Sequence, residues 1–138
     1  MEILKTIAKR KIYVIVVLLI VCVILGNQFM KSADEQELRN EAINIIYKSG
    51  FSTVIYDMHR DSHYWYIVQV PTSQSCRLIN YYNSSLQNKG WIEDRGSCSK
   101  DGKMFLKTKN NVKTSVVLKI VKQSDEQTLW RIDVNSWN

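Results

Sequence analysis

The uninterrupted apolar run from Ile12 to Leu25 constrains this chain more than any other feature. A segment of that kind is a cleaved export signal, a lipid-modified signal or a helix that stays in the bilayer. The run of about 14 residues reaches only about 21 Å as a helix, short of the roughly 30 Å hydrocarbon core. Counting on through Gly26, Asn27, Gln28, Phe29 and Met30 gives roughly 19 residues and about 28 Å, which spans. Tyr13 and Phe29 then fall near the two interfaces, where aromatic rings are favoured.

Cleavage needs small residues one and three positions before the cut. Cutting after Gly26 puts Ile24 at the outer position, and cutting after Ala33 puts Lys31 there. Cys22 follows Val21 and is followed by further apolar residues, unlike a lipidated cysteine. The expectation is therefore an uncleaved signal-anchor, a transmembrane helix over 12–30 between a basic N-terminus (1–11) and an outer domain (32–138). Only Gly26 in this segment is small, so no small-residue dimer face is indicated.

Lys5, Lys9, Arg10 and Lys11 precede the run, whereas Lys31 is followed at once by Asp34, Glu35 and Glu37. The positive-inside rule then puts the N-terminus in the cytoplasm and the domain in the periplasm or outside the cell, with the protein single-pass in an inner or plasma membrane. An oxidising compartment permits a disulfide, and Cys76 and Cys98 are the only cysteines beyond the anchor. Their closed loop of about 22 residues would stabilise by about 3 kcal/mol.

Charge partitions along the same boundary. Residues 1–31 hold four of the six net positive charges and leave the outer domain with only +2. The high pI thus reports topology, and no nucleic-acid partner is expected. A local excess remains in Lys100, Lys103, Lys107, Lys109, Lys113, Lys119 and Lys122. Lys103, Lys107, Lys109, Lys113 and Lys119 are read either as a patch for an anionic surface or as solvated strand faces and lysine-guarded edges.

The outer domain reads as α+β, an antiparallel sheet packed against one or two helices. Ser32-Ala-Asp-Glu35 has the form of a capping box, which predicts a helix start there, or a helix running on almost directly from the anchor. Leu38, Ala42, Ile45 and Ile46 form its apolar face and Gly50 its stop. Residues 51–57 and 64–70 read as a strand pair joined by a turn over 58–63. A second helix is expected over 74–89, with Cys76, Ile79, Tyr82 and Leu86 on one face and Gly90 and Trp91 closing it. The spacing Tyr82-x-x-x-Leu86-x-x-x-Gly90-Trp91 resembles one in small envelope-facing domains of bacterial single-pass proteins and lipoproteins; helix-end packing accounts for it and no function follows. Four strands complete the domain, at 91–95, 103–108, 115–121 and 129–134, with turns at Asn110-Asn111 and 123–127.

Little in the domain suggests a reaction. No nucleophile motif or Gly-rich phosphate loop occurs, and Glu93 and Asp94 would point to opposite faces of a strand. His59 and His63 with Asp61 and Asp57 are the sole metal-ligand cluster, at a spacing that matches no characteristic motif, and no cofactor is expected. Tyr64, Trp65 and Tyr66 are the interface candidates, since aromatic residues anchor interfaces and strand alternation must turn one set outward. Trp91, Trp130 and Ile132 are expected in the core. The functional expectation is a membrane-anchored accessory or protein-interaction domain without catalysis, partnered by another envelope protein. The alternative is a binding module for an anionic ligand or divalent metal.

Overall fold

A computed structural model describes residues 2–94 and 102–137, with 2–10 described by their backbone. The chain divides into two compact units, Met1–Ala33 and Asp34–Asn138. Helix α1 runs through both without a break, from Glu2 to Tyr47. Its apolar stretch has a mean hydropathy of 2.6 and is long and apolar enough to cross a membrane. Side chains from Ile12 to Leu25 are exposed, as a lipid-facing surface requires.

The expected helix start at Ser32 is not there. Ser32, Asp34 and Glu35 lie inside α1, where the backbone amides already have carbonyl partners four residues back and need no cap. Asp34 instead accepts from Asn110 Nδ2 at 2.9 Å, and Glu35 pairs with Arg39.

The second unit is α+β. Strands β1 (Thr53–Arg60) and β2 (His63–Pro71) form a hairpin, and a 3-10 turn (Thr72–Gln74) leads into helix α2 (Ser75–Asn88). Then follow β3 (Ile92–Glu93), β4 (Gly102–Lys109), β5 (Val112–Gln123) and β6 (Gln127–Trp137). All pairings are antiparallel, in one sheet of order β1-β2-β6-β5-β4-β3. The last strand thus returns to the middle beside β2.

Turn chemistry explains how these strands stop. Asn110 and Asn111 link β4 to β5 with φ of 48° and 70°, the left-handed pair that a two-residue hairpin demands and asparagine tolerates. The β1–β2 turn is shorter than expected: only Asp61 and Ser62 lie outside the strands, so His59 and His63 are strand residues.

One face of the sheet is covered. Tyr66, Val68 and Val70 of β2, Trp130, Ile132 and Val134 of β6, Val116 and Leu118 of β5 and Phe105 of β4 meet Ala42, Ile45 and Ile46 of α1 and Leu78, Tyr82 and Leu86 of α2. The buried stripe on α2 is Ser75, Leu78, Tyr82 and Leu86. Leu78 therefore takes the core position expected of Ile79, and Cys76 points to solvent.

The end of α2 shows how local sequence fixes packing. The Trp91 amide donates to the Leu86 carbonyl at 3.0 Å and the Gly90 amide to Gln87 at 2.9 Å, the hydrogen-bond pair of a Schellman cap. Gly90 sits at φ +83°. That turn brings Trp91 back onto the core, where it is 2% exposed and its indole donates to Glu41 of α1 at 2.7 Å. A Cβ on Gly90 would meet no atom within 4 Å. Gly90→Ala should therefore cost only the left-handed backbone penalty, about 1–2 kcal/mol, read as a lowered unfolding midpoint of the chain in detergent. A loss well beyond that range would mean a steric role that this geometry does not contain.

Candidate functional site

Strand alternation divides the candidate residues between two environments. Paired residues of an antiparallel ladder share a face, so β1 places Asp57 and His59 with Tyr66 and Tyr64 on the helix-covered face. Met58 and Arg60 fall with Trp65 and His63 on the opposite face. The two histidines thus lie on opposite faces, and the metal-ligand cluster is dispersed. His59 Nε2 lies 3.3 Å from the Tyr66 hydroxyl, while His63 Nε2 lies 3.0 Å from Asp133 Oδ1. No group of three His, Cys, Asp or Glu side chains converges among the described residues.

The aromatic candidates separate in the same way. Tyr66 is fully buried. Tyr64 accepts a hydrogen bond from Arg39 Nη1 at 2.9 Å, and the guanidinium lies 4.1 Å from its ring centroid. Trp65 is the one of the three on the helix-free face.

The lysines do not share a face either. The β4–β5 register puts Lys103, Lys107 and Lys109 on the helix-covered side with Phe105. Each meets an acid of its own chain: Lys103 meets Glu93 at 3.2 Å, Lys107 meets Glu41 at 2.8 Å, and Lys109 meets Glu37 at 2.6 Å and Asp34 at 3.3 Å. The Glu37 hydrogen bond, against the opposing effect of desolvation, keeps the Lys109 ammonium charged to a higher pH than usual. Lys113 and Lys119 are exposed on the other face. Cys76 is exposed, and its expected partner Cys98 lies outside the described residues.

The helix-free face holds the more informative geometry. Met58, Trp65, Asp133, Val117 and Met104 run across it in register from β1 to β4. Beside this row the Arg131 guanidinium stacks 4.1 Å from the Trp65 ring centroid. Asp133 holds it in that plane, accepting from Nε at 2.9 Å and from Nη2 at 2.8 Å. A fork held by both donors and laid on an aromatic ring is preorganised, since little side-chain freedom remains to be lost on binding. Met58, Arg60, His63, Trp65 and Arg131 line a hollow of about 190 Å3. Arg60 is exposed and makes no ion pair with a described residue. Sequence reasoning missed Arg131, because only the pairing of β2 with β6 brings the last strand to Trp65, and Arg60, because residues 58–63 read as a turn whereas Arg60 belongs to β1.

A larger hollow of about 400 Å3 lies between α2 and the sheet, lined by Cys76, Ile79, Ile120 and Trp130 among others. Gly102 on its wall adjoins residues outside the described set. No family model, curated protein or solved structure matches this chain.

Burial raises the Tyr66 and Tyr82 phenols well above the ordinary value near 10. The folded chain then keeps protons that the unfolded chain releases. Their contribution to stability is complete below about pH 10 and is lost as the pH climbs beyond it. In an alkaline titration of the seven tyrosines, the last phenolate absorbance should appear together with loss of near-ultraviolet dichroism. Tyr66→Phe and Tyr82→Phe should each remove part of that late step; a late step unchanged in both variants contradicts the assignment.

Proposed function

We propose that this chain is a single-pass membrane-anchored interaction domain whose helix-free sheet face docks another envelope protein. α1 provides the anchor, with the N-terminus in the cytoplasm and residues 32–138 in the periplasm or outside the cell. The observation that carries the reading is the Trp65–Arg131–Asp133 arrangement on a face that neither helix covers. Tryptophan and arginine are the residue types that most often dominate binding at interfaces, and here both are held in place before any partner arrives. Ile67 and Leu129 stand beside Arg131 and Val117 beside Asp133, each half-buried on the same face. The reading assigns no reaction to the domain and needs no cofactor.

Orientation and docking are tested separately. Protease added to spheroplasts, with any outer membrane opened and the inner membrane intact, should remove the domain and leave a protected N-terminal fragment; full protection would invert the topology. In the same membranes Cys76 and Cys98 should resist thiol blocking until reduced, as an oxidising compartment requires. A photo-crosslinking residue at Lys119 on the open face should capture one discrete partner, while the same residue at Gln87 on α2 should not. Adducts from Gln87 alone would move the docking surface to the helices.

A further inference from the structure

The two edges of the sheet are built differently. At one edge stands β3, two residues long, over a β4 whose Lys103, Lys107 and Lys109 are tied to acids. Short strands and lysines are devices that keep an edge from pairing with other chains. At the other edge stands β1, eight residues with no lysine and no proline. Seven of its eight residues are exposed, among them Ile55, Tyr56 and Met58. A bulge between Val54 and Tyr56 interrupts its first half, which leaves Tyr56–Arg60 as the regular part of the edge.

The cationic hollow opens beside this edge, since β1 supplies Met58 and Arg60 to its wall. Its volume of about 190 Å3 falls below the roughly 300–1,000 Å3 of sites that enclose a whole small ligand. It suits one side chain. Arg131 is already neutralised by Asp133, so Arg60 is the cation of the hollow that pairs with no described residue. A carboxylate meets that need.

We infer that β1 accepts an added strand from the partner protein, an extended segment that places an Asp or Glu beside Arg60 in the hollow on the helix-free face. The inference rests on the interaction-domain reading and names the partner's chemistry. Main-chain hydrogen bonds to the free edge supply affinity, and alternate side chains supply specificity. One set of the segment's side chains, at every second residue, lies over Met58 and Arg60, so the acid belongs to that set with apolar neighbours toward Tyr56 and Met58. A second copy of β1 does not fit the hollow. Its single acid, Asp57, lies on the helix-covered face, opposite to the face that carries Arg60.

The test is a selection of displayed random decapeptides on the full chain in detergent micelles, followed by affinity measurements on the enriched peptides. Enriched sequences should alternate, with Asp or Glu recurring on one face. Arg60→Glu should weaken them roughly tenfold or more and shift a repeated selection to Lys or Arg, with an unchanged unfolding midpoint. Backbone N-methylation should abolish binding at every second residue and be tolerated between. Enriched acids that survive Arg60→Glu, or peptides indifferent to N-methylation, would overturn strand addition. So would no enrichment, or self-association of the chain through β1. The Lys119 crosslink, if retained in any of these cases, leaves the interaction-domain reading standing.

Discussion

The register between β2 and β6 is the constraint on which the rest of the domain depends. Tyr66 opposes Ile132, Val68 opposes Trp130 and Tyr64 opposes Val134, so three pairs of large side chains face the helices together. The intervening positions pair Trp65 with Asp133 and Ile67 with Arg131. A slip of one residue in β6 would turn Arg131 and Asp133 into the core and expose Trp130, Ile132 and Val134. Burying an ion pair in that core would cost several kcal/mol per ion, against a gain of at most about 1 kcal/mol from an exposed rim pair. The hollow is therefore the outer side of the same register that makes the core. It needs no separate specification.

Residues at the margin of the core solve a different problem. Phe105 is fully buried while Lys103 and Lys107, on the same face of β4, must place a charge at the edge of an apolar layer. Their long apolar stems cover core surface and their ammonium groups reach acids at the rim. Glu41 is the node: it accepts from Trp91 Nε1 at 2.7 Å and from Lys107 Nζ at 2.8 Å. One carboxylate thereby satisfies a buried indole and anchors a lysine, tying α1 to the end of α2 and to β4. Exposed pairs of this kind add little energy singly. Their geometric effect is to close one edge of the sheet.

Local signals in the sequence were legible where the physics is local. The spacing of Leu38, Ala42, Ile45 and Ile46 predicted the buried face of α1, and all four are buried. Gly90-Trp91 predicted the cap on α2, and Trp91, Trp130 and Ile132, expected in the core, are buried there. Other features depend on tertiary contacts. Ser32 to Glu35 reads as a helix start because those residue types satisfy free amides, yet in an unbroken helix no amide is free. Tyr64 to Tyr66 could be divided between faces but not assigned to them, since the assignment requires knowing which face receives the helices. Arg131 carried no signal at all. Its meaning comes from Trp65, 66 positions earlier in the chain, across a pairing that local sequence does not encode.

That long separation also bears on how the domain forms and on how strongly its surface must bind. Joining β2 to β6 closes a loop of about 60 residues, an entropic cost that grows only slowly with length but must be met before the pair contributes. β1, by contrast, pairs with its neighbour through a two-residue turn and depends on the rest of the sheet for support on one side only. It is the strand most easily left with an unfilled edge once the core is complete. A five-residue edge and a one-side-chain hollow make a small interface, below the size of stable complexes between freely diffusing proteins. For a tethered domain that is sufficient. In the proposed role, confinement with a partner at one membrane would raise the effective concentration, so that weak contacts would hold an assembly that the same contacts would not hold in solution.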